Sequence, residues 1–102
     1  MLDTLESLFK LARERKNNPI DGSYTNKLLS DKNLNKEKVL EEINELIESV
    51  EKNSNKIHEA ADVFYHLIIY LEANEIKIED VMNELNKRKK WIMIIIIFLQ
   101  KF

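Results

Sequence analysis

Two pairs of acidic residues are the part of the sequence most suited to chemistry. The first pair is Glu42 and Glu45, with Glu41 beside it, and the second pair is Glu59 and Asp62. Residues three apart on a helix lie about 60° apart around its axis, so each pair presents both carboxylates on one face. If the two helices run antiparallel across the short turn between them, the pairs face each other at similar height.

Four facing carboxylates repel each other strongly unless a positive charge lies between them. Oxygen ligands suit Mg²⁺ or Mn²⁺, and Mg²⁺ usually keeps waters and takes further ligands from substrate phosphates. The pattern therefore predicts a metal-dependent phosphate site. The alternative is a set of solvated helix faces, which explains Glu41 well. It explains Asp62 less well, because Asp62 stands in an apolar string where a carboxylate needs a partner or a cation.

Both histidines of the sequence stand close to the second acidic pair. His66 follows Asp62 by four residues and so lies on the same side of the predicted helix. It could hydrogen-bond a substrate or orient a metal-binding carboxylate, and it could equally be a plain buried histidine bonded to a carboxylate. His58 is expected to point elsewhere, at the surface. No serine or cysteine is tied to either ring by a motif, which argues against a protein nucleophile.

Basic and hydroxyl-bearing residues that could hold phosphates precede the acidic pairs. Arginine binds phosphate bidentately and lysine adds positive charge, which suits Arg15, Lys27 and Lys38. Ser23 and Tyr24 fall at the start of a predicted short helix, where free backbone N–H groups favour anions. The alternative for Ser23 is a plain N-cap without a ligand.

The spacing of apolar residues predicts four main helices and one short helix. Apolar positions recur at intervals of three and four, as on one face of an amphipathic helix. The main helices are predicted at 4–16, 35–52, 55–73 and 79–90, and the short one at 23–29. The stretch 30–34 is predicted to be a loop, and Ser54 is expected to cap the helix that follows it. Short turns between long helices favour antiparallel neighbours, so the predicted class is an all-α, four-helix-bundle-like fold.

Three of the predicted helices differ in their apolar patterns. The helix at 35–52 has acidic residues on one side and an apolar stripe on the other, which consists of Val39, Leu40, Ile43, Leu46, Ile47 and Val50. From Val63 onward the next helix is apolar on nearly all sides, which predicts a central helix covered by more than one neighbour. In the last helix, Val81, Met82 and Leu85 are expected to point inward.

The segment Trp91–Leu99 consists of nine consecutive apolar residues after the basic run Lys87–Lys90. A membrane-spanning helix needs about 20 such residues, so this segment is not predicted to span a bilayer. Three alternatives stay open. The segment extends the last helix and packs on a core or a subunit interface; it is a poorly ordered, aggregation-prone extension; or it makes shallow membrane contact helped by the basic run.

Composition excludes several classes of protein. The 102 residues suit one domain, predicted at 1–90, with 91–102 as an apolar tail. One glycine and one proline exclude collagen and most β-sandwiches, and the absence of cysteine excludes disulfides and zinc sites built on thiolates. Nothing resembles a secretory signal, so the expected compartment is the cytoplasm. The net charge is −2 and the middle of the chain is acidic, which makes nucleic acid an unsuitable partner.

Four segments of the sequence resemble one enzyme family. They are Pro19–Leu29, Lys38–Glu45, Glu59–His66 and Ile78–Leu85. The most specific parts are the Ser-Tyr-Thr run that starts at residue 23 and the Glu-Ala-Ala-Asp-x-x-Tyr-His run that ends at residue 66. Over about residues 2–88 the chain resembles the phosphoribosyl-ATP pyrophosphohydrolases of histidine biosynthesis, within the MazG-like all-α nucleoside triphosphate pyrophosphohydrolases.

The resemblance implies a MazG-type fold, a homodimer and a Mg²⁺-dependent enzyme, with Mn²⁺ as an alternative ion. The implied reaction is hydrolysis of the α–β phosphoanhydride of phosphoribosyl-ATP to phosphoribosyl-AMP and pyrophosphate. The family's catalytic, metal-binding acids fall on Glu42, Glu45, Glu59 and Asp62, with Glu41 as a fifth metal ligand. The positions that hold phosphates and ribose fall on Arg15, Ser23, Tyr24, Lys27, Lys38 and His66.

Two residues depart from the family pattern. Leu40 stands where the family usually has glycine, so helix packing there is expected to differ, and Lys77 stands where a helix-capping serine is common. Two other functions stay open. One is a house-cleaning pyrophosphohydrolase for other nucleotides. The other is a catalytically silent helical interaction module that uses the tail as a docking or membrane segment.

Overall fold

The computed structural model describes residues 3–100, and over that range the chain is helical apart from its turns. The five helices are α1 (Asp3–Asn17), α2 (Tyr24–Ser30), α3 (Lys32–Lys52), α4 (Lys56–Ala73) and α5 (Ile78–Gln100). The predicted all-α class is therefore confirmed. No helix among the described residues is long and apolar enough to span a bilayer.

The core lies where α1 and α2 pack on α4. Its fully enclosed residues are Ala12, Leu28, Ile68 and Ile69, and Leu5, Leu8, Phe9, Leu29, Leu34 and Tyr65 pack around them. The turn between α1 and α2 is closed by Gly22, whose φ of +80° is a conformation that suits glycine. The central position predicted for α4 is confirmed, since α4 contacts α1, α2 and α3.

A single residue separates α2 from α3. The backbone N–H of Asp31 donates to the carbonyl of Lys27 and so closes α2, while its side chain accepts from the N–H of Leu34 at 3.0 Å and so caps α3. The prediction of a loop over 30–34 is therefore wrong. One aspartate provides both caps, and no longer connection is needed.

The turn between α3 and α4 also differs from the prediction. Asn53 takes the left-handed conformation, and the N–H groups of Asn53 and Ser54 donate to the carbonyls of Val50 and Ser49. This is the Schellman arrangement, which closes the end of α3. Ser54 therefore belongs to the end of α3 rather than to the start of α4. Asn55 stands at the N-cap of α4 and makes no side-chain cap bond.

The face that α3 buries is polar. Its buried residues are Asn35, Glu42 and Ser49, which recur every seven residues along one side. The apolar stripe of α3 is largely exposed, with Leu40 at 55% and Val50 at 58%. The helix thus turns its acidic side towards α4 and its apolar stripe outward. Leu40 stands where the family usually has glycine, and within the single chain its side chain is largely exposed rather than closely packed.

Helix α5 projects from the rest of the chain. Its first turn is tied to α1 by a 2.8 Å ion pair between Arg13 and Glu79, and none of its residues is buried. The prediction that Met82 and Leu85 point inward is therefore wrong for the single chain. The segment 91–99 continues α5 without a break, as in the first alternative for the tail, but each of its side chains is 45–66% exposed.

We expect the tail to contribute nothing to the stability of the single domain. A chain that ends after Lys90 should keep its thermal unfolding midpoint within about 2 °C, because no side chain beyond Lys90 is buried among the described residues. Circular dichroism at 222 nm measures the midpoint. As a positive control, Leu28→Ala removes a fully buried side chain and should cost about 3 kcal/mol. A drop of more than about 5 °C on truncation would show that the tail packs on protein in solution.

Candidate active site

The α3–α4 hairpin brings three of the predicted acids together. Glu42 and Glu45 project from α3 towards Glu59 on α4, and one carboxylate oxygen of each lies within 4.8 Å of the others. The short turn at residues 53–55 makes this possible, because it places α4 directly beside α3 with the opposite direction. We call these three residues the oxygen cluster.

Two oxygens of this cluster are buried without hydrogen-bond partners. Glu42 is only 9% exposed, and its Oε2 atom makes no hydrogen bond, as is also true of Oε2 of Glu59. A buried carboxylate oxygen without a partner costs free energy, and like charges around it add to that cost. A hard divalent cation satisfies both needs, because it supplies positive charge and takes oxygen ligands. The residues present therefore fit a magnesium-type site.

The pKa values of two cluster carboxylates are displaced in the same direction. Burial raises the pKa of Glu42, and the neighbouring Glu45 raises it further. Burial also raises the pKa of Glu59, again with a contribution from Glu45. Both shifts express the cost of holding these groups charged in the absence of a cation.

Asp62 belongs to a second group, which shares Glu59 with the first. One ligand atom each of His58, Glu59 and Asp62 lie within 4.8 Å of one another, and Nε2 of His58 is 3.3 Å from Oδ2 of Asp62. His58 is exposed, as predicted. Sequence reasoning nevertheless missed its place beside Asp62. The signal was the spacing of four residues, which puts two side chains on one helix face.

Glu41 lies outside both groups. Its Oε2 atom accepts from Nζ of Lys38 at 3.1 Å, and this hydrogen bond raises the pKa of Lys38. Its role as a fifth metal ligand stays a prediction. In the structure Glu41 forms an ion pair with Lys38, which lies about one helical turn before Glu42.

Tyr24 and His66 form a hydrogen-bonded pair next to the acids. The carbonyl of Asp62 can only accept, so Nδ1 of His66, 2.8 Å away, carries the proton. In the tautomer that carries its proton on Nδ1, Nε2 accepts, and the Tyr24 hydroxyl donates to it at 3.1 Å. His66 therefore contacts the backbone of Asp62 rather than a carboxylate. It fixes the position of Tyr24, whose pKa is raised by burial, so the phenol keeps its proton.

Tyr65 contacts the Tyr24–His66 pair, an arrangement that sequence reasoning missed. Its ring stacks against Tyr24 with centroids 6.5 Å apart, and it meets His66 edge-on at 5.1 Å. Its hydroxyl is hydrogen-bonded to Thr25. The sequence contained a signal, because Tyr65 directly precedes His66 in the run that ends with Tyr-His. In the structure both side chains contact α2.

The predicted phosphate-binding residues lie around the start of α2. Ser23 caps that helix by accepting from the N–H of Asn26, which corresponds to the N-cap alternative. Ser23, Tyr24 and Lys27 all line a cavity of about 640 Å³. Arg15 does not line it. The carbonyl of Arg15 accepts from the side chain of Asn26 at 2.7 Å and ties the end of α1 to α2.

Comparisons with known proteins identify the family of the chain. A family model described as phosphoribosyl-ATP pyrophosphohydrolase matches residues 3–89. A phosphoribosyl-ATP pyrophosphatase of Clostridium novyi (strain NT) is 43% identical over 94 residues, which cover 87% of this chain and 84% of the relative. One of Methanococcoides burtonii is 39% identical, with 86% and 94% covered. The histidine biosynthesis bifunctional protein HisIE of Pyrococcus furiosus is 38% identical, and the alignment covers 43% of its length.

The match of the family model spans most of the chain and includes α1 to α4, which carry every predicted site residue, and the first half of α5. The relatives cover the same part at an identity that is well above what fold similarity alone produces. The chain therefore belongs to the phosphoribosyl-ATP pyrophosphohydrolase family.

Proposed function

We propose that this chain hydrolyses the α–β phosphoanhydride of phosphoribosyl-ATP to phosphoribosyl-AMP and pyrophosphate, the second step of histidine biosynthesis, in the cytoplasm. The observation that supports this most is the oxygen cluster, whose buried and unpaired carboxylate oxygens call for a cation. Glu42, Glu45, Glu59 and Asp62 would hold Mg²⁺, or alternatively Mn²⁺. The bound ion would neutralise the polyphosphate and acidify a water.

The remaining site residues would bind and orient the substrate. Lys27 and Lys38 both follow Tyr24 in the sequence, and their positive charges would offset the charge that develops on the leaving pyrophosphate. Arg15, near the end of α1, would add to this charge. The Tyr24 hydroxyl donates a hydrogen bond to Nε2 of His66, which leaves its oxygen lone pairs to accept from a ribose hydroxyl. Ser23, as the N-cap of α2, would orient the first turn of that helix towards a phosphate.

Removing a metal-binding carboxylate should abolish turnover. We expect Glu45→Gln and Asp62→Asn each to lower Mg²⁺-dependent hydrolysis of phosphoribosyl-ATP by about 100-fold or more, because each change removes a negative ligand. Phosphorus NMR with and without Mg²⁺ measures the reaction directly, through the appearance of pyrophosphate. Glu51→Gln is the matched control, since Glu51 is exposed on α3 and lies outside both groups.

Three outcomes would contradict the proposal. Near wild-type turnover in either variant would show that the substituted residue is not a metal ligand. Faster hydrolysis of ordinary or damaged deoxynucleoside triphosphates would favour a house-cleaning enzyme. A chain that binds no Mg²⁺ in calorimetry would favour a silent interaction module.

The repulsion within the oxygen cluster should be measurable without substrate. Since the folded-state pKa of Glu42 is raised, its ionised form destabilises the fold at neutral pH. In the presence of a chelator, Glu42→Gln should therefore raise the free energy of unfolding. The same variant should lose the stabilisation that wild type gains from added Mg²⁺.

Urea unfolding with EDTA, and again with Mg²⁺, measures both effects. Glu51→Gln serves again as the exposed control and should change neither. A Glu42→Gln protein that is less stable than wild type in EDTA would show that repulsion does not dominate at this position.

We further propose that the chain is a homodimer, with a second copy covering the outer face of the α3–α4 hairpin. This outer face consists of Leu40, Ile43, Ile47, Val50, Ile57, Phe64 and Leu67, which are 37–89% exposed. Each stripe follows the spacing of one helix face, and α3 and α4 are antiparallel neighbours, so the second copy would cover the two stripes together. Contiguous apolar surface of this kind is typical of subunit interfaces.

A charge on this outer face should separate the subunits. Ile47→Glu and Phe64→Glu are each expected to raise the dimer dissociation constant by about 100-fold or more, because a carboxylate would be buried without a partner. Light scattering after size exclusion gives the molar mass. Ser7→Glu, on the exposed side of α1, is the control and should stay dimeric. A wild-type chain that is monomeric at all concentrations would refute the proposal.

A further inference from the structure

His58 adds a nitrogen atom to one side of the acidic cluster. Its imidazole stands on the first turn of α4, and Nε2 lies 3.3 Å from Oδ2 of Asp62. Ligand atoms of His58, Glu59 and Asp62 lie within 4.8 Å of one another, a spacing that lets all three approach one cation with small side-chain movements. The opposite side of the cluster offers only oxygens.

An exposed histidine four residues before an aspartate is by itself an ordinary helix surface pair. Here a third ligand changes the chemistry, because Oε2 of Glu59 is buried and has no hydrogen-bond partner. Glu59 also belongs to the oxygen cluster, which includes the deeply buried Glu42. The two groups are therefore two sides of one electron-rich surface: Glu59 belongs to both groups, and Asp62 of the second group is also one of the magnesium ligands proposed above.

We propose that His58, Glu59 and Asp62 form a second cation position, which prefers a first-row divalent transition ion to Mg²⁺. Imidazole is a good ligand for such ions, whereas Mg²⁺ selects oxygen and keeps its waters. The inference rests on the proposed function, since Glu59 and Asp62 are also proposed as ligands of the magnesium-type position. It assigns a different ion preference to the two sides, with His58 as the residue that sets it.

Titration with Co²⁺ tests this assignment, because bound Co²⁺ absorbs visible light and the measurement needs neither substrate nor turnover. His58→Ala should raise the dissociation constant for Co²⁺ by about tenfold or more, while that for Mg²⁺, from calorimetry, changes by less than about twofold. Ser54→Ala, at an exposed position in the turn before α4, is the control and should change neither constant. Thermal unfolding of each variant confirms that it folds.

Two results would overturn the inference. Equal Co²⁺ affinity in wild type and His58→Ala would show that the imidazole is not a ligand. Persistence of the His58-dependent affinity in Asp62→Asn would show a lone surface histidine that binds Co²⁺ without the other residues. Failure of the proposed function has a different signature, namely no Mg²⁺-dependent release of pyrophosphate from phosphoribosyl-ATP, whatever the Co²⁺ titration shows.

Discussion

Repulsion between buried carboxylates is the interaction around which the described chain is organised. Glu42 is almost fully enclosed beside Glu45 and Glu59, and unpaired oxygens remain on both helices of the hairpin. A fold built for stability alone would place apolar side chains on this inner face. The repulsion on this face lowers the stability of the hairpin, and a bound cation with a polyphosphate would restore that stability. The α3–α4 contact is therefore the candidate centre of the chemistry, and it lies beside the hydrophobic core that α1 and α2 form with α4.

The orientation of α3 follows from this constraint. A helix with one acidic side and one apolar side can turn only one of them towards its neighbour, and here the acidic side faces α4. The apolar side is then left outward, where Leu40 and Val50 are more than half exposed. The metal-type site and the proposed subunit interface are thus two consequences of one helix rotation. A change in that rotation would disturb both at once.

Sequence reasoning predicted the site better than it predicted the connections. The two acidic pairs could be placed because side chains three residues apart always share a helix face, whatever surrounds them. The Tyr24–His66 bond joins α2 to α4 and depends on tertiary packing, so neither the bond nor the tautomer follows from residue spacing. The loop at 30–34 and the cap at Ser54 were mispredicted because short polar stretches fit several local geometries. The direction of the apolar stripe needed knowledge of the partner helix.

The double role of Asp31 has a consequence for which substrates fit. Since one residue ends α2 and begins α3, the helices that carry Tyr24 and Glu42 are joined without a longer linker. A polyphosphate that reached from the carboxylates to the phenol would have to fit the distance that this short junction sets between them. Adjustment to longer or shorter molecules would have to come from the segment before Ser23. That segment contains Gly22, the one glycine of the sequence, which has a positive φ.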